Sequence, residues 1–162
     1  MKKYEFTGET KQVGFFGNIT LKRIRATMEF GIIKIGDLGG WIEKEENLSH
    51  KGNAWVYGNA KVCGDAKVYG NAKVYDNAEV FSISHVLVIG PIGSRNDFTT
   101  FFRDKDSEIT VKCGCFLGKI DKFLEKVCET HGDSKYAIVY RTAAEIAKQQ
   151  IDLSEENNYE IK

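Results

Sequence analysis

Residues 54–80 repeat one six-residue unit: Ala54-Trp-Val56-Tyr-Gly-Asn, Ala60-Lys-Val62-Cys-Gly-Asp, Ala66-Lys-Val68-Tyr-Gly-Asn, Ala72-Lys-Val74-Tyr-Asp-Asn, then Ala78-Glu-Val80. A strict six-residue period is the sequence mark of a parallel β-helix. Side chains alternate across a strand, so Ala and Val of each unit point inward while Lys and Tyr point outward. Gly-Asn and Gly-Asp supply the permissive backbone of the corners. Three units make one triangular turn, so residues eighteen apart stack. Trp55 then lies beside Lys73, Tyr57 beside Tyr75, Lys61 beside Glu79, Cys63 beside Phe81 and Tyr69 beside Leu87.

The phase extends on both sides. Ser84-His-Val86, Gly90-Pro-Ile92 and Asn96-Asp-Phe98 keep a small residue two positions before an apolar one, which predicts that the helix runs to about Phe98. Upstream, Lys44 and His50 stand where valines belong, so the first turn is irregular or shifted. The fold expected is mainly β: a short parallel β-helix over residues 38–98, an N-terminal β segment over 1–37, and a C-terminal hairpin with two helices over 99–162. The hairpin joins strands at Thr99 to Arg103 and at Ile109 to Cys113. A helical stripe from Lys119 to His131 ends at Gly132, and Asp133-Ser134 caps a second helix presenting Tyr136, Tyr140, Ala143 and Ala147. The helical pair is expected to cap the open end of the stack. Residues 152–162 are polar and expected to fray.

The 162 residues are 42% hydrophobic and carry no net charge, which gives no overall pull toward nucleic acid or membrane. Lys61, Lys67 and Lys73 fall on three different faces and make no basic groove. The longest apolar run, Val86-Leu-Val-Ile89, is too short to span a bilayer. Met1-Lys2-Lys3 is followed by Tyr-Glu-Phe-Thr-Gly-Glu rather than an apolar stretch, so no signal peptide and a cytoplasmic location are expected. Four cysteines suit reduced structural thiols. Cys113, Cys115, Cys128 and His131 offer metal-ligating atoms but not a common zinc spacing, so no metal or other cofactor is expected.

Outward aromatics Tyr57, Tyr69, Tyr75 and Phe81 form columns of the kind that mark an interface. They predict a homo-oligomer, with a trimer favoured. The richest donor vocabulary lies where the repeat ends: Gly93, Ser94, Arg95, Asn96, then Thr99, Thr100 and Arg103. Backbone N–H groups at glycines, hydroxyls and guanidinium groups suit a phosphorylated ligand, although the spacing is neither a P-loop nor a dinucleotide fingerprint. Hexapeptide enzymes with a histidine base suggest acyl transfer, with His50 and His85 as candidates. About three turns make a short groove for that chemistry, and no catalytic residues are assigned.

Lys3-Tyr-Glu-Phe-Thr-Gly-Glu, Leu21-Lys-Arg-Ile-Arg-Ala, Asp37-Leu-Gly-Gly-Trp-Ile-Glu, the hexapeptides, Val88-Ile-Gly-Pro-Ile-Gly-Ser-Arg-Asn-Asp and Val111-Lys-Cys-Gly-Cys-Phe together resemble small hexapeptide-repeat proteins of phages and prophages. The resemblance spans nearly the whole chain and implies a left-handed parallel β-helix in a phage accessory protein that acts in the host cell. Such proteins often counter host defence. The expectation is a non-enzymatic protein that sequesters a nucleotide immune signal. The alternatives are an inhibitor that binds a host defence protein through the aromatic columns, and an acyltransferase.

Overall fold

The computed structural model describes residues 1–154. The chain is mainly β, with several open sheets and two C-terminal helices. The N-terminal hairpin consists of β1 (Tyr4–Val13) and β2 (Ile19–Ala26), and β2 pairs antiparallel with β3 (Leu38–Ile42), setting Arg23 against Trp41. The short strands β4 (Trp55–Val56), β5 (Lys61–Val62), β6 (Lys73–Val74) and β7 (Glu79–Val80) follow. Two parallel ladders result, β3–β5–β7 and β4–β6, with a third contact where Leu48 bridges Val68.

The repeat produces this stack as its alternation requires. Every Ala and Val of the five units is at most 1% exposed. Trp55 pairs with Lys73 and Lys61 with Glu79, eighteen residues on, and the Lys61 ammonium meets the Glu79 carboxylate at 2.9 Å. The first turn is two residues longer, since Trp41 pairs with Lys61 and Leu48 with Val68. The excess falls between Leu48 and Trp55, whose partners are Val68 and Lys73. The corner before it is a 3₁₀ turn at Glu45–Asn47. Buried Asn47 completes it: its amide donates to the Gly64 and Ala66 carbonyls at 3.2 and 2.9 Å and accepts the Lys44 N–H at 3.0 Å. Gly39 and Gly40 let β3 approach the stack, because a Cβ there would meet Ile24 at 2.6 Å and the Ala60 carbonyl at 2.7 Å.

The parallel stack does not reach Phe98. After Val80 a Ser82-capped 3₁₀ turn at Ile83–His85 leads into β8 (Val86–Ile92), which pairs antiparallel with β9 (Asp97–Arg103). The reason lies in the other parity of the strand. Val86 falls on the valine position of the repeat, but Val88 stands where the corner glycine belongs and Leu87 and Ile89 are apolar too, so the segment continues as a strand with two faces to bury. Strands β10 (Ile109–Cys113) and β11 (Phe116–Lys119) complete a four-stranded antiparallel sheet, with the predicted hairpin turn at residues 104–107.

This sheet, rather than the helices, closes the stack. Phe102, Val86 and Val88 join the repeat core, whereas Phe101, Val111, Leu87 and Ile89 pack beneath the helices. Helix α1 (Ile120–His131) stops at Gly132, and Ser134 caps α2 (Lys135–Gln150) by accepting the Ala137 N–H. Tyr140, Ala143 and Ala147 are buried as the stripe predicts, with Tyr136 half-buried. Ile151 is buried and the Asp152 N–H donates to the Ser84 carbonyl at 3.0 Å. The rest of the tail expected to fray, 155–162, lies outside the described residues. Among the described residues no helix is long and apolar enough to cross a membrane.

Two buried charges hold the ends. The fully buried Asp104 carboxylate accepts from Thr110 Oγ1 at 2.6 Å, Lys119 Nζ at 2.7 Å and the N–H groups of Asp106 and Glu108. Burial alone would raise its pKa, but Lys119, Thr110 and the two N–H groups hold it below the usual carboxylate value. Lys3 is buried without a carboxylate. Its ammonium donates to the Ala54 carbonyl at 2.7 Å and lies 4.8 Å from the Phe30 ring centre, and burial pushes it down to about 8.

Asp104→Ala should lower unfolding free energy in urea by about 3 kcal/mol, since it leaves three neutral donors unsatisfied, while Lys119 keeps Asp106 and Glu108 as partners. Lys3 makes a prediction of opposite character. The folded state releases its proton near pH 8 while the unfolded chain holds it to 10.5, so the unfolded state binds more protons in that window and stability rises with pH. Wild type should therefore gain stability relative to Lys3→Met as pH increases from about 8 to 10.5, read as the difference between their melting temperatures.

Candidate functional site

Two turns and two helices meet at an open cleft of about 390 Å³ on the outer side of the four-stranded sheet. The β8–β9 turn contributes Ser94, Arg95 and Asp97, and the β10–β11 turn contributes Cys113, Gly114, Cys115 and Phe116. From α1 come Phe123, Lys126, Val127, Thr130 and His131, spaced three and four apart on one helical face. Tyr140 of α2 closes the back.

The cleft has an aromatic floor and a basic rim. Phe123 packs against Tyr140 edge-on at 5.8 Å between ring centres and against Phe116 at 5.5 Å, while His131 lies 5.6 Å from Tyr140. Arg95, Lys126 and His131 line the cleft with one carboxylate, Asp97, whose Oδ1 is already engaged by the Phe98 N–H at 2.7 Å; Lys126 also meets Glu129, one turn along α1, at 3.6 Å. Among the described residues Arg23 pairs with Glu9, Arg25 with Glu5 and Arg141 with Asp133, whereas Arg95 and Arg103 have no carboxylate partner, and of these two only Arg95 is exposed. Burial pushes the Tyr140 phenol up, with the neighbouring Cys113 adding to the effect and Ser94 and Arg95 opposing it. A neutral hydroxyl, two cations and a cluster of edge-on and tilted rings are chemistry suited to a planar anionic molecule.

The seven residues expected to bind a ligand do not form one site. Gly93, Ser94, Arg95 and Asn96 make the tight turn, with the Asn96 N–H donating to the Gly93 carbonyl at 3.3 Å. Ser94 and Arg95 line the cleft, and Gly93 lies against the Tyr140 hydroxyl. Thr99 is buried beneath the cleft and donates to Cys113 Sγ at 3.3 Å. Thr100 points to the opposite side of the sheet, where its hydroxyl accepts the Lys73 N–H at 3.1 Å. Arg103 stands at the far end of β9, roughly 20 Å along the strand, within 3.2 Å of His85 Nε2 and 3.0 Å of Ser107 Oγ. Alternation and strand length separate what the sequence lists side by side.

The cleft residues missing from the sequence reading come from the helices. Phe123 and Val127 carry the apolar period of α1, and Lys126, Thr130 and His131 share that face; Tyr140 was visible only as a core position. Cys113, Cys115 and His131 do converge here, but Cys128 is exposed elsewhere on α1, and among the described residues no group of three His, Cys, Asp or Glu side chains is placed to hold a metal ion.

The other candidates occupy different surroundings. His50 stacks on Tyr4 at 4.3 Å and its Nδ1 accepts the Lys3 N–H at 3.1 Å. His85 is not on an outward strand but in the 3₁₀ turn, 7% exposed, with Nδ1 accepting the Phe81 N–H at 3.1 Å. Burial lowers the pKa of both imidazoles, and Arg103 adds to the effect at His85. Tyr57 and Tyr75 stack face to face at 4.1 Å as the eighteen-residue spacing predicts, but both are half-buried, and Phe81 packs against Leu21, Trp41 and Cys63. Tyr69 is 63% exposed and has no Leu87 beside it in a parallel ladder, because β8 has left the stack.

Gly93 sets the depth of the cleft. Its φ is +75° and a Cβ would collide with the Tyr140 hydroxyl. Gly93→Ala should cost about 1–3 kcal/mol in chemical denaturation. Removing the hydroxyl with Tyr140→Phe should recover part of that loss, measured as a non-additive double-mutant cycle.

No protein-family model matches the chain. A segment is 34% identical over 62 residues to the uncharacterized acetyltransferase YdcK of Escherichia coli (strain K12). The match covers 35% of this chain and 19% of that protein, so the chain spans less than a fifth of the relative's length.

Proposed function

We propose that the protein is a non-catalytic binding protein that captures and holds a small phosphorylated ligand, of the nucleotide class, in the cleft between the sheet and the helices. The observation that carries this reading is Arg95: a guanidinium without a carboxylate partner among the described residues, set on the rim of an aromatic cleft beside Ser94 and Lys126. Phosphate on Arg95 and Lys126 with a base against Phe116, Phe123 and Tyr140 uses each group for its natural chemistry. The parallel stack is read as a short left-handed β-helix and as the scaffold through which copies associate, with a trimer favoured. Its resemblance to phage hexapeptide proteins supports an accessory role in which a nucleotide immune signal is sequestered in the host cytoplasm.

Acyl transfer is the second reading, favoured by the partial likeness to a protein named as an acetyltransferase. His50 and His85 would be its bases. Each already accepts a backbone N–H at Nδ1 and neither lines the cleft. Inhibition of a host protein through the aromatic columns has less support, since of its four residues only Tyr69 is largely exposed.

Calorimetric titration with a panel of linear and cyclic nucleotides tests the proposal. Arg95→Ala should weaken binding of the best nucleotide by about tenfold to a hundredfold, whereas Arg25→Ala, which removes the same charge from the N-terminal hairpin, should not. The ligand should be recovered intact after the protein is denatured. A cleaved or acylated product, or equal affinity in Arg95→Ala, would contradict it.

A further inference from the structure

The cleft contains a chemical feature that ligand capture does not use. Cys113 and Cys115 flank Gly114 in the two-residue turn between β10 and β11, and both thiols line the cleft. Cys113 is half-buried, with hydroxyl groups and a guanidinium close by. Thr99 Oγ1 donates to its Sγ at 3.3 Å, the Tyr140 hydroxyl lies against it, and the Arg95 guanidinium sits 3.1 Å from the point where a Cβ on Gly114 would stand. Cys115 is exposed at the mouth.

The other two cysteines lack this setting. Cys63 is wholly buried in the stack, and burial pushes its thiol up to about 12. Cys128 is exposed on α1 and does not line the cleft. Hydroxyl donors, cations and partial access are the conditions under which a thiol reacts as thiolate. Two Cα steps of about 3.8 Å, folded back in a turn, bring residues 113 and 115 within the roughly 4.4–6.8 Å over which a disulfide closes.

We propose that Cys113 and Cys115 form a reversible dithiol–disulfide pair in the cleft, with Cys113 as the attacking thiol and a small anionic disulfide of the glutathione type as oxidant. Cys113 Sγ attacks one sulfur of the oxidant, forming a mixed disulfide and releasing one molecule of the small thiol, which carries away the Cys113 proton. Cys115 Sγ then attacks Cys113 Sγ, closes the internal bond and releases the second small thiol with its own proton. Two protein thiols are oxidised and one small disulfide is reduced to two thiols. Arg95 and Lys126 on the rim are placed to receive the oxidant's carboxylates. The reaction is independent of which ligand the cleft takes.

The test is oxidation of the native protein with oxidised glutathione, followed by alkylation of the remaining thiols and peptide mass analysis. The expected result is the loss of two hydrogens from the peptide that contains both residues, reversed by dithiothreitol, while Cys63 and Cys128 remain alkylatable. Cys115→Ser should arrest the reaction as a glutathione adduct on Cys113, and Thr99→Val should slow that adduct by about fivefold. Glutathionylation of Cys128 with Cys113 and Cys115 still free would overturn the proposal, as would a Cys115→Ser protein in which Cys113 forms no adduct.

Discussion

The structure turns on the two faces of β9. Phe102 points into the repeat core and Phe101, its neighbour, into the core beneath the helices. Both are fully buried, so β9, with β8 beside it, joins the two hydrophobic clusters. A parallel stack built from two-residue strands exposes unpaired backbone at its last rung. Here that rung is covered: Ala78 bridges Asp104, the Lys105 N–H donates to Asn77, and Thr100 accepts the Lys73 N–H. The buried Asp104 cluster then fixes the turn that makes these contacts.

The position of the cleft follows from this arrangement. Because the sheet's inner face is committed to the stack, its outer face must be covered by α1 and α2, and these helices leave a gap where two hairpin turns project past the strand ends. Glycines at 93 and 114 allow those turns to be tight, and Gly93 lets the Tyr140 hydroxyl approach the backbone. The rim then carries whatever the turns and the adjoining helical face bring, which is Arg95 from one side and Lys126 from the other. The chemistry of the rim is thus a consequence of how the stack is closed.

Much of the scaffold was legible in the sequence. The Ala and Val positions, the eighteen-residue stacking of Trp55 on Lys73 and Tyr57 on Tyr75, the irregular first turn at Lys44, and the caps at Gly132 and Ser134 all follow from local periodicity. The end of the stack was not legible from the repeat phase, because Val86 fits it while Leu87 and Ile89 carry the contrary information. The site was half legible. Ser94 and Arg95 announced themselves as a donor-rich turn, but Thr100 and Arg103 share only sequence proximity with them, and Lys126, Thr130 and Tyr140 reach the cleft through helix packing, which no local pattern encodes.

The central claim is that ligand recognition occurs at the outer cleft rather than on the repeats. Amide chemical-shift mapping of the isotopically labelled protein during titration with the tightest-binding nucleotide tests this directly. The account predicts shifts concentrated at residues 93–97, 113–116 and 126–131, with the Tyr57 and Tyr75 ladder and the surroundings of His50 and His85 unchanged. Shifts confined to the ladder or to those histidines would contradict it.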